Sequence, residues 1–378
     1  MHIGLFVKDF AVGKKFSKDG LPTKSGAEFH AENHAKQLIK RGNEVTIFAK
    51  KRYHFTKARE NIDGIDLVRL HAPFRWLEII VRLLTTHSKI DAFYIIGTPK
   101  FAVWAIFMAR FLKLPTTLVL TGTFVVFDRN KNWRNKVFSR CSNYIAISNE
   151  IKRGIIKRVG ISEGLISVLP QGVDSERFSP VTYEEKCAIK MKYKIPISAP
   201  VVVFCARLVL RKGTDLVMKF WPKVHDRFPD AILCIVGGGE NDIVDNMRNM
   251  GRLSGNSVFF AGEVDNPTEF YCMSDVYVLP SRAEGLPTTL MEAMSCGLPA
   301  VVSDIGGCED LVENGVSGYR IQTENVDEYV DKITELLGNE RKRNDMGENA
   351  LSFVRKNCDY VNVVGELEKI ILCGKNVV

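Results

Sequence analysis

The stretch Leu279-Pro-Ser-Arg-Ala-Glu-Gly-Leu-Pro-Thr-Thr-Leu-Met-Glu-Ala-Met-Ser-Cys-Gly-Leu-Pro-Ala-Val-Val-Ser-Asp304 constrains the fold most. It reads as strand, tight loop, short helix, Gly-Leu-Pro turn and strand. Two strands joined through a helix run parallel, and parallel strands are covered on both faces. Glu284 falls in the loop and Glu292 on the second turn of the helix. Pro287 is predicted at the first helical position, where its missing N–H costs nothing. The unpaired N–H groups of such a helix start can hold a diphosphate, while two carboxylates accept hydrogen bonds from sugar hydroxyls.

The same alternation runs through the rest of the chain. Strands are predicted at 3–7, 44–48, 66–70, 92–96, 117–120 and 144–147, with a helix starting at Ser25-Gly-Ala-Glu28, whose Ser and Glu are spaced as a capping box. A second series follows at 201–205, 231–236, 257–260 and 276–279, with helices near 215–228 and 361–373. Alternating strands and helices predict an α/β fold with two doubly wound parallel sheets. The expected domains are 1–180, a linker at 181–198, 199–355, and a C-terminal helix within 356–378 that packs back on the first domain. A chain of 378 residues can build two full cores.

Composition narrows the class. With 46% hydrophobic and 25% charged residues the chain is an ordinary globular protein. Lys8 and Asp9 come too soon for a signal peptide's apolar core, and no apolar run reaches the ~18 residues of a bilayer span. The nine cysteines form no C-x-x-C pair, which argues against a disulfide framework or structural zinc and fits a reducing cytoplasm. Cys205, Cys234 and Cys296 are expected as core residues. Residues 1–180 carry 30 Lys and Arg against 15 Asp and Glu, and the remainder 22 against 29. The basic half is therefore expected to meet something anionic.

Further motifs fall at predicted strand ends. Phe204-Cys-Ala-Arg-Leu-Val-Leu-Arg-Lys-Gly213 puts Arg207 and Lys212 at a sheet's carboxyl edge, where two cations can neutralise a leaving diphosphate without a metal. Gly237-Gly-Gly239 is not a dinucleotide fingerprint, because Asp242 occupies its third glycine position; it is read as a tight turn. His30 and His34 lie one helical turn apart, but no further ligand type completes a metal site. In Arg75-Trp-Leu-Glu-Ile-Ile-Val-Arg-Leu-Leu84 the charges share one face, which suits either a core helix or one lying on a membrane.

Together these segments resemble the retaining glycosyltransferases of family 4, which have the GT-B fold of two Rossmann-like domains facing across a cleft. The resemblance covers about residues 1–355 and is strongest between Val201 and Tyr319. It implies that Glu284 contacts the donor sugar and Glu292 the nucleotide ribose. Gly285, Leu286, Pro287 and Thr288 would meet the sugar and phosphates, with Arg207 and Lys212 stabilising the leaving group. Phe260-Ala-Gly-Glu-Val264 resembles the loop beside the base, which makes Val264 a donor contact. Gly26 resembles a glycine of the family's G-G-x-E, where the backbone approaches the donor phosphate, with Ser25 in place of the first glycine. Pro170-Gln-Gly-Val-Asp174 resembles a structural segment at the end of the first domain.

Many members carry a His after the strand that here ends at Leu120. This chain has Thr121-Gly-Thr-Phe124, so Thr121 and Thr123 are expected on the acceptor side. The resemblance implies transfer from a nucleotide-sugar, UDP-linked rather than GDP-linked, to a glycan or lipid-linked acceptor in surface polysaccharide synthesis. No cofactor or metal is implied, and no nucleic acid. The expected place is the cytoplasm or the cytoplasmic face of the inner membrane, with the basic half against anionic lipid. A nucleotide-sugar epimerase and a non-catalytic binding module are the alternatives. Conversion of donor without acceptor would mark the first, and donor binding without turnover the second.

Overall fold

Apolar runs of four or five residues, buried on both sides, are what a parallel sheet requires, and the chain supplies them twice. A computed structural model of the chain describes residues 1–8, 10, 26–50, 57–71, 77–81, 90–122, 132–253, 255 and 257–373. It divides into two units, Met1–Gln171 with Tyr360–Val378, and Gly172–Asp359.

The first unit holds β1 (His2–Phe6), β2 (Glu44–Lys50), β3 (Arg59–Ile62), β4 (Ile65–Leu70), β5 (Ala92–Ile96), β6 (Thr116–Leu120), β7 (Asn143–Ala146) and β8 (Ile166–Val168). Their order is β3-β4-β2-β1-β5-β6-β7-β8, and all pair in parallel except β3 with β4. The β3–β4 hairpin turns on Asp63-Gly64, both at positive φ, the geometry that Asp-Gly favours in two-residue hairpin loops. Helices α1 (Gly26–Lys40), α2 (Ala102–Leu112) and α3 (Trp133–Phe138) belong to this unit. In the predicted helix at 75–84, residues 77–81 are described and helical; Ile79 is buried, while Leu77 and Val81 are exposed. The other residues of that segment lie outside the described ones.

The second unit begins earlier than predicted. Residues 181–198 are not a linker, because Thr182 caps helix α4 (Tyr183–Lys192) with a complete capping box. The helix is anchored within the second unit by Lys186, whose Nζ donates to Ser274 O and Asp275 Oδ1. Lys190, although charged, is buried because Nζ donates to the carbonyls of Ile197 and Ala199.

The second sheet comprises β9 (Val201–Cys205), β10 (Ile232–Val236), β11 (Val258–Gly262), β12 (Val276–Leu279), β13 (Ala300–Ser303) and β14 (Gly318–Ile321). All are parallel, in the order β11-β10-β9-β12-β13-β14. The chain steps outward in one direction after β9 and in the other after β12. Such a reversal opens a crevice at the carboxyl ends of the two central strands, the place where open α/β sheets take ligands. Helix α5 (Thr214–Arg227) follows the β9 loop, and α6 (Thr288–Ser295) follows the β12 loop.

The last helix, α7 (Tyr360–Cys373), returns to the first unit and lies on α1. Asn33 Nδ2 donates to the Tyr360 hydroxyl at 3.0 Å, and Arg41 and Asn43 both donate to the Glu368 carboxylate.

Candidate active site

Two loops meet at the crevice of the second unit. Arg211 Nη1 donates to Ala283 O at 2.8 Å, and Arg282 N donates back to Arg211 O at 2.9 Å. The Arg282 guanidinium also donates to Leu210 O and grips both oxygens of Asp215, on the first turn of α5, at 2.7 and 2.8 Å. Those hydrogen bonds hold the Asp215 carboxyl below its usual range. Gly213 closes the first loop at φ 73°, and a Cβ there would stand 2.0 Å from Pro280 O. Only glycine lets the loops approach this closely.

The clasp brings Lys212 and Glu284 together. Nζ lies 2.5 Å from Glu284 Oε1, and Ser281 Oγ donates to the same oxygen at 2.7 Å. The Lys212 and Glu284 side chains are 16% and 6% exposed, so removing either would strand a charge away from water. Lys212, expected as a cation for a phosphate, is thus engaged with the first carboxylate in this structure. Arg207, on the same loop, is exposed.

Pro287 is the N-cap of α6 rather than its first helical residue: its ψ of 110° is extended, and the helix starts at Thr288. The carbonyl of Pro287 accepts from Leu290 N and Met291 N. Gly285 and Thr288 are partly exposed at this helix start, whereas Leu286 and Pro287 are buried.

Glu292 is buried one turn further on, and its Oε2 accepts from the Tyr271 hydroxyl at 2.9 Å. Burial pushes the Glu292 carboxyl up to about 7, against the opposing pull of the Tyr271 hydrogen bond and the Arg177 charge. The hydroxyl of Tyr277 on β12 meets Thr289 Oγ1 at 2.8 Å. Sequence reasoning did not find Ser281 or Tyr271. Ser281 could have been found, since it stands three residues before Glu284 at the strand end; Tyr271, 21 residues before Glu292, leaves no local signal.

The glycine turn after β10 packs on the β9 loop: a Cβ on Gly237 would meet Ala206 O at 1.9 Å. The turn read from the sequence thus also serves close packing. Val264 is half-buried, two residues past β11. Cys205, Cys234 and Cys296 are buried, and burial raises the thiol of Cys205 to about 12.

In the first unit, Gly26 opens α1 and Thr121 follows β6 directly, while Ser25 and Thr123 lie outside the described residues. His34 faces Tyr94 OH at 2.9 Å and Gln171 O at 2.8 Å. Burial lowers His34 to about 4, and His30, which also feels His34, to about 3. Among the described residues no group of three or more His, Cys, Asp or Glu is placed to hold a metal ion.

Two parallel doubly wound units, with a carboxylate–lysine pair and a helix start at a switch point, define a GT-B architecture. Comparison with known proteins agrees. The family described as "Glycosyl transferases group 1" matches residues 186–353, and "Glycosyltransferase Family 4" matches residues 24–177. The chain belongs to the family-4-like glycosyltransferases of GT-B type.

Among curated relatives, the chain is 32% identical over 195 residues to the GDP-mannose-dependent monoacylated alpha-(1-6)-phosphatidylinositol monomannoside mannosyltransferase of Corynebacterium glutamicum, covering 47% of this chain and 49% of that one. It is 28% identical over 263 residues to the UDP-Gal:alpha-D-GlcNAc-diphosphoundecaprenol alpha-1,3-galactosyltransferase of Escherichia coli, covering 63% and 61%. The matches thus span about half to three-fifths of those relatives' lengths. Among solved structures, Anabaena Alr3699/HepE in complex with UDP shares the fold at a TM-score of 0.77 and 19% identity, covering 99% of this chain and 100% of that one.

Proposed function

We propose that the chain transfers a hexose or related sugar from a nucleotide-sugar to a lipid-linked glycan acceptor, with retention of anomeric configuration and without a metal. The observation that carries the reading is the Lys212–Glu284 pair at the switch point, with Glu292 on the helix that starts beside it. In this reading Glu284 orients the donor sugar and Glu292 accepts from the ribose. The backbone N–H groups of Gly285, Leu286 and Thr288 meet the diphosphate. On donor entry Lys212 turns part of its hydrogen bonding from Glu284 to the leaving phosphate, and Arg207 joins it. The leaving phosphate oxygen takes the proton of the incoming hydroxyl on the same face, so no protein nucleophile is assigned. Thr121 and Thr123 take the acceptor side.

The donor proposed is a UDP-sugar. The UDP-Gal donor of the Escherichia coli relative and the UDP bound in the Anabaena structure support it, while the Corynebacterium relative's GDP-mannose dependence makes GDP the competitor to test. Both curated relatives have lipid-linked acceptors in their names, which supports a lipid-linked acceptor; a role in surface polysaccharide synthesis is proposed with it. Calorimetry of UDP and GDP, each without metal, on the wild type and Glu292→Ala tests the reading. Tight binding of one nucleotide, lost in the variant, is expected; binding of neither by the folded protein would overturn it. The anomeric configuration of the first product, read by NMR, tests retention.

A further inference from the structure

The two carboxylates of the crevice are held differently. Glu284 is met by Lys212 and Ser281, whereas Glu292 is met by the hydroxyl of Tyr271. Tyr271 sits on the short helix Thr268–Cys272, and its surroundings fix where the hydroxyl points. Asn266 Oδ1 accepts from Thr268 Oγ1 at 2.7 Å and from Thr268 N at 3.3 Å, which ties down the start of that helix. Arg177 Nη2 donates to the same oxygen at 2.8 Å. The Tyr271 ring is fully buried and packs edge-on against Phe178 and Tyr277, at centroid distances of 6.1 and 6.3 Å. A ring so confined places its hydroxyl 2.9 Å from Glu292 Oε2.

That contact makes the two oxygens of Glu292 unequal. Oε2 is taken, while Oε1 meets no hydrogen-bond donor among the described residues, and the residue keeps 8% of its surface exposed. A carboxylate pinned at one oxygen can offer a ligand the other. Burial, then the nearby Cys205 and Glu292 charges, push the Tyr271 phenol well up, so it remains a donor. The other groups that bear on Glu292 are Arg177, Cys205 at the end of β9, and Cys296 one turn further along α6. Both thiols are raised, Cys205 by burial and Cys296 by its hydrogen bond to Cys272 and by burial. Glu292 is therefore the group among them that titrates near neutrality.

We propose that Tyr271 is a positioning residue of the donor site: its hydroxyl fixes one oxygen of Glu292, favours the ionised carboxylate and leaves the other oxygen to the ribose. The inference rests on the functional reading, in which Glu292 accepts from that ribose. Without the hydroxyl, the carboxylate loses a donor that favours its charged form, and its proton is held more tightly.

The test compares the full chain with Tyr271→Phe, which keeps the ring, with Glu292→Gln and with the double variant. Thermal unfolding is the control for folding. The first readout is calorimetry of UDP and of GDP between about pH 6 and 9. Tyr271→Phe is expected to weaken binding about fivefold near pH 7 and to recover by about pH 9, the midpoint having moved up by about one unit. A merely structural role would give the same loss at every pH, and that result, or an unchanged profile, would overturn the proposal. The double variant is expected to bind as Glu292→Gln does. A further loss there would mean that Tyr271 acts apart from Glu292, which is equally fatal. The second readout needs no nucleotide: the Glu292 carboxyl resonance in isotope-labelled protein, identified by its absence from Glu292→Gln. Its midpoint should rise by about one unit in Tyr271→Phe, and an unmoved midpoint would sink the proposal. A moved midpoint in a chain that binds neither nucleotide would support the hold of Tyr271 on Glu292 and count against the transferase reading alone.

Discussion

The two units share a doubly wound plan and put their polar groups to opposite uses. In the second unit, charged side chains gather at the carboxyl ends of β9 and β12, with Arg282 on Asp215 and Lys212 on Glu284. In the first unit, neutral groups bond one another between packed elements: His34 meets Tyr94 and Gln171, and Tyr360 joins Asn33. Its charge lies largely at the surface, although Arg69, paired with Glu60, is buried. A sheet therefore dictates where loops meet, whereas the side chains on those loops and helices decide whether that place becomes a binding site or a packed seam.

The contrast breaks most visibly at Lys212. Lys212→Ala is expected to lower kcat by about 10²–10³, with the donor KM changed much less, because the lysine's charge matters most as the phosphate leaves. Steady-state kinetics checks this, and near-normal turnover would remove the leaving-group role. Gly213→Ala follows, with a loss of about 3 kcal/mol from the collision with Pro280 O and the left-handed backbone. Denaturant unfolding should show it as a lower midpoint with a similar slope.

The third test sets the units against each other in pH. Glu292 titrates higher in the fold than in the unfolded chain, so the folded state holds its proton more tightly. Stability is thus lost as pH rises from about 4.5 through 7, by at most about 3 kcal/mol, and Glu292→Gln should remove that slope. The same titration predicts tighter nucleotide binding as pH rises through 7, because the ribose hydroxyls donate to the carboxylate. His34 titrates lower in the fold, so its stability contribution is lost as pH falls from about 6.5 through 4, again by at most about 3 kcal/mol. Falling pH should therefore loosen the first unit and rising pH the second, both between about 4 and 7, as hydrogen exchange resolved by region would show. The smallest effect is expected from Ser281→Ala, which removes one hydrogen bond to a carboxylate that Lys212 still holds. A loss of about 1 kcal/mol in thermal unfolding would fit.

The sequence disclosed the two sheets because parallel strands are short apolar runs and little else; β5, β9 and β12 match their predicted spans residue for residue. It also disclosed Glu284 and Glu292 as a spaced pair on a loop and a helix. The β3–β4 hairpin was missed although Asp63-Gly64 announces its turn, since its first strand, Arg59-Glu-Asn-Ile62, is polar and lies at the sheet edge. The helix Tyr183–Lys192 lies within the span expected as a linker, because its anchors, Ser274 and Asp275, are about 90 residues away and leave no local signal. Tyr271 escaped for the same reason. Contacts made by tertiary folding between distant segments leave no period to read.

Because α7 completes the first unit from the far end of the chain, the two units cannot be finished in the order they are made. The contiguous second unit, Gly172–Asp359, can close on itself as it leaves the ribosome. The first must hold its α1 surface uncovered for all that time, roughly 10–40 s at about 5–20 residues per second. A growing chain thus presents an unfinished seam along His30, Asn33, His34 and Arg41 until Tyr360 and its neighbours emerge. Stalled synthesis before that point would yield a finished half tethered to a sticky one, a natural client for a chaperone.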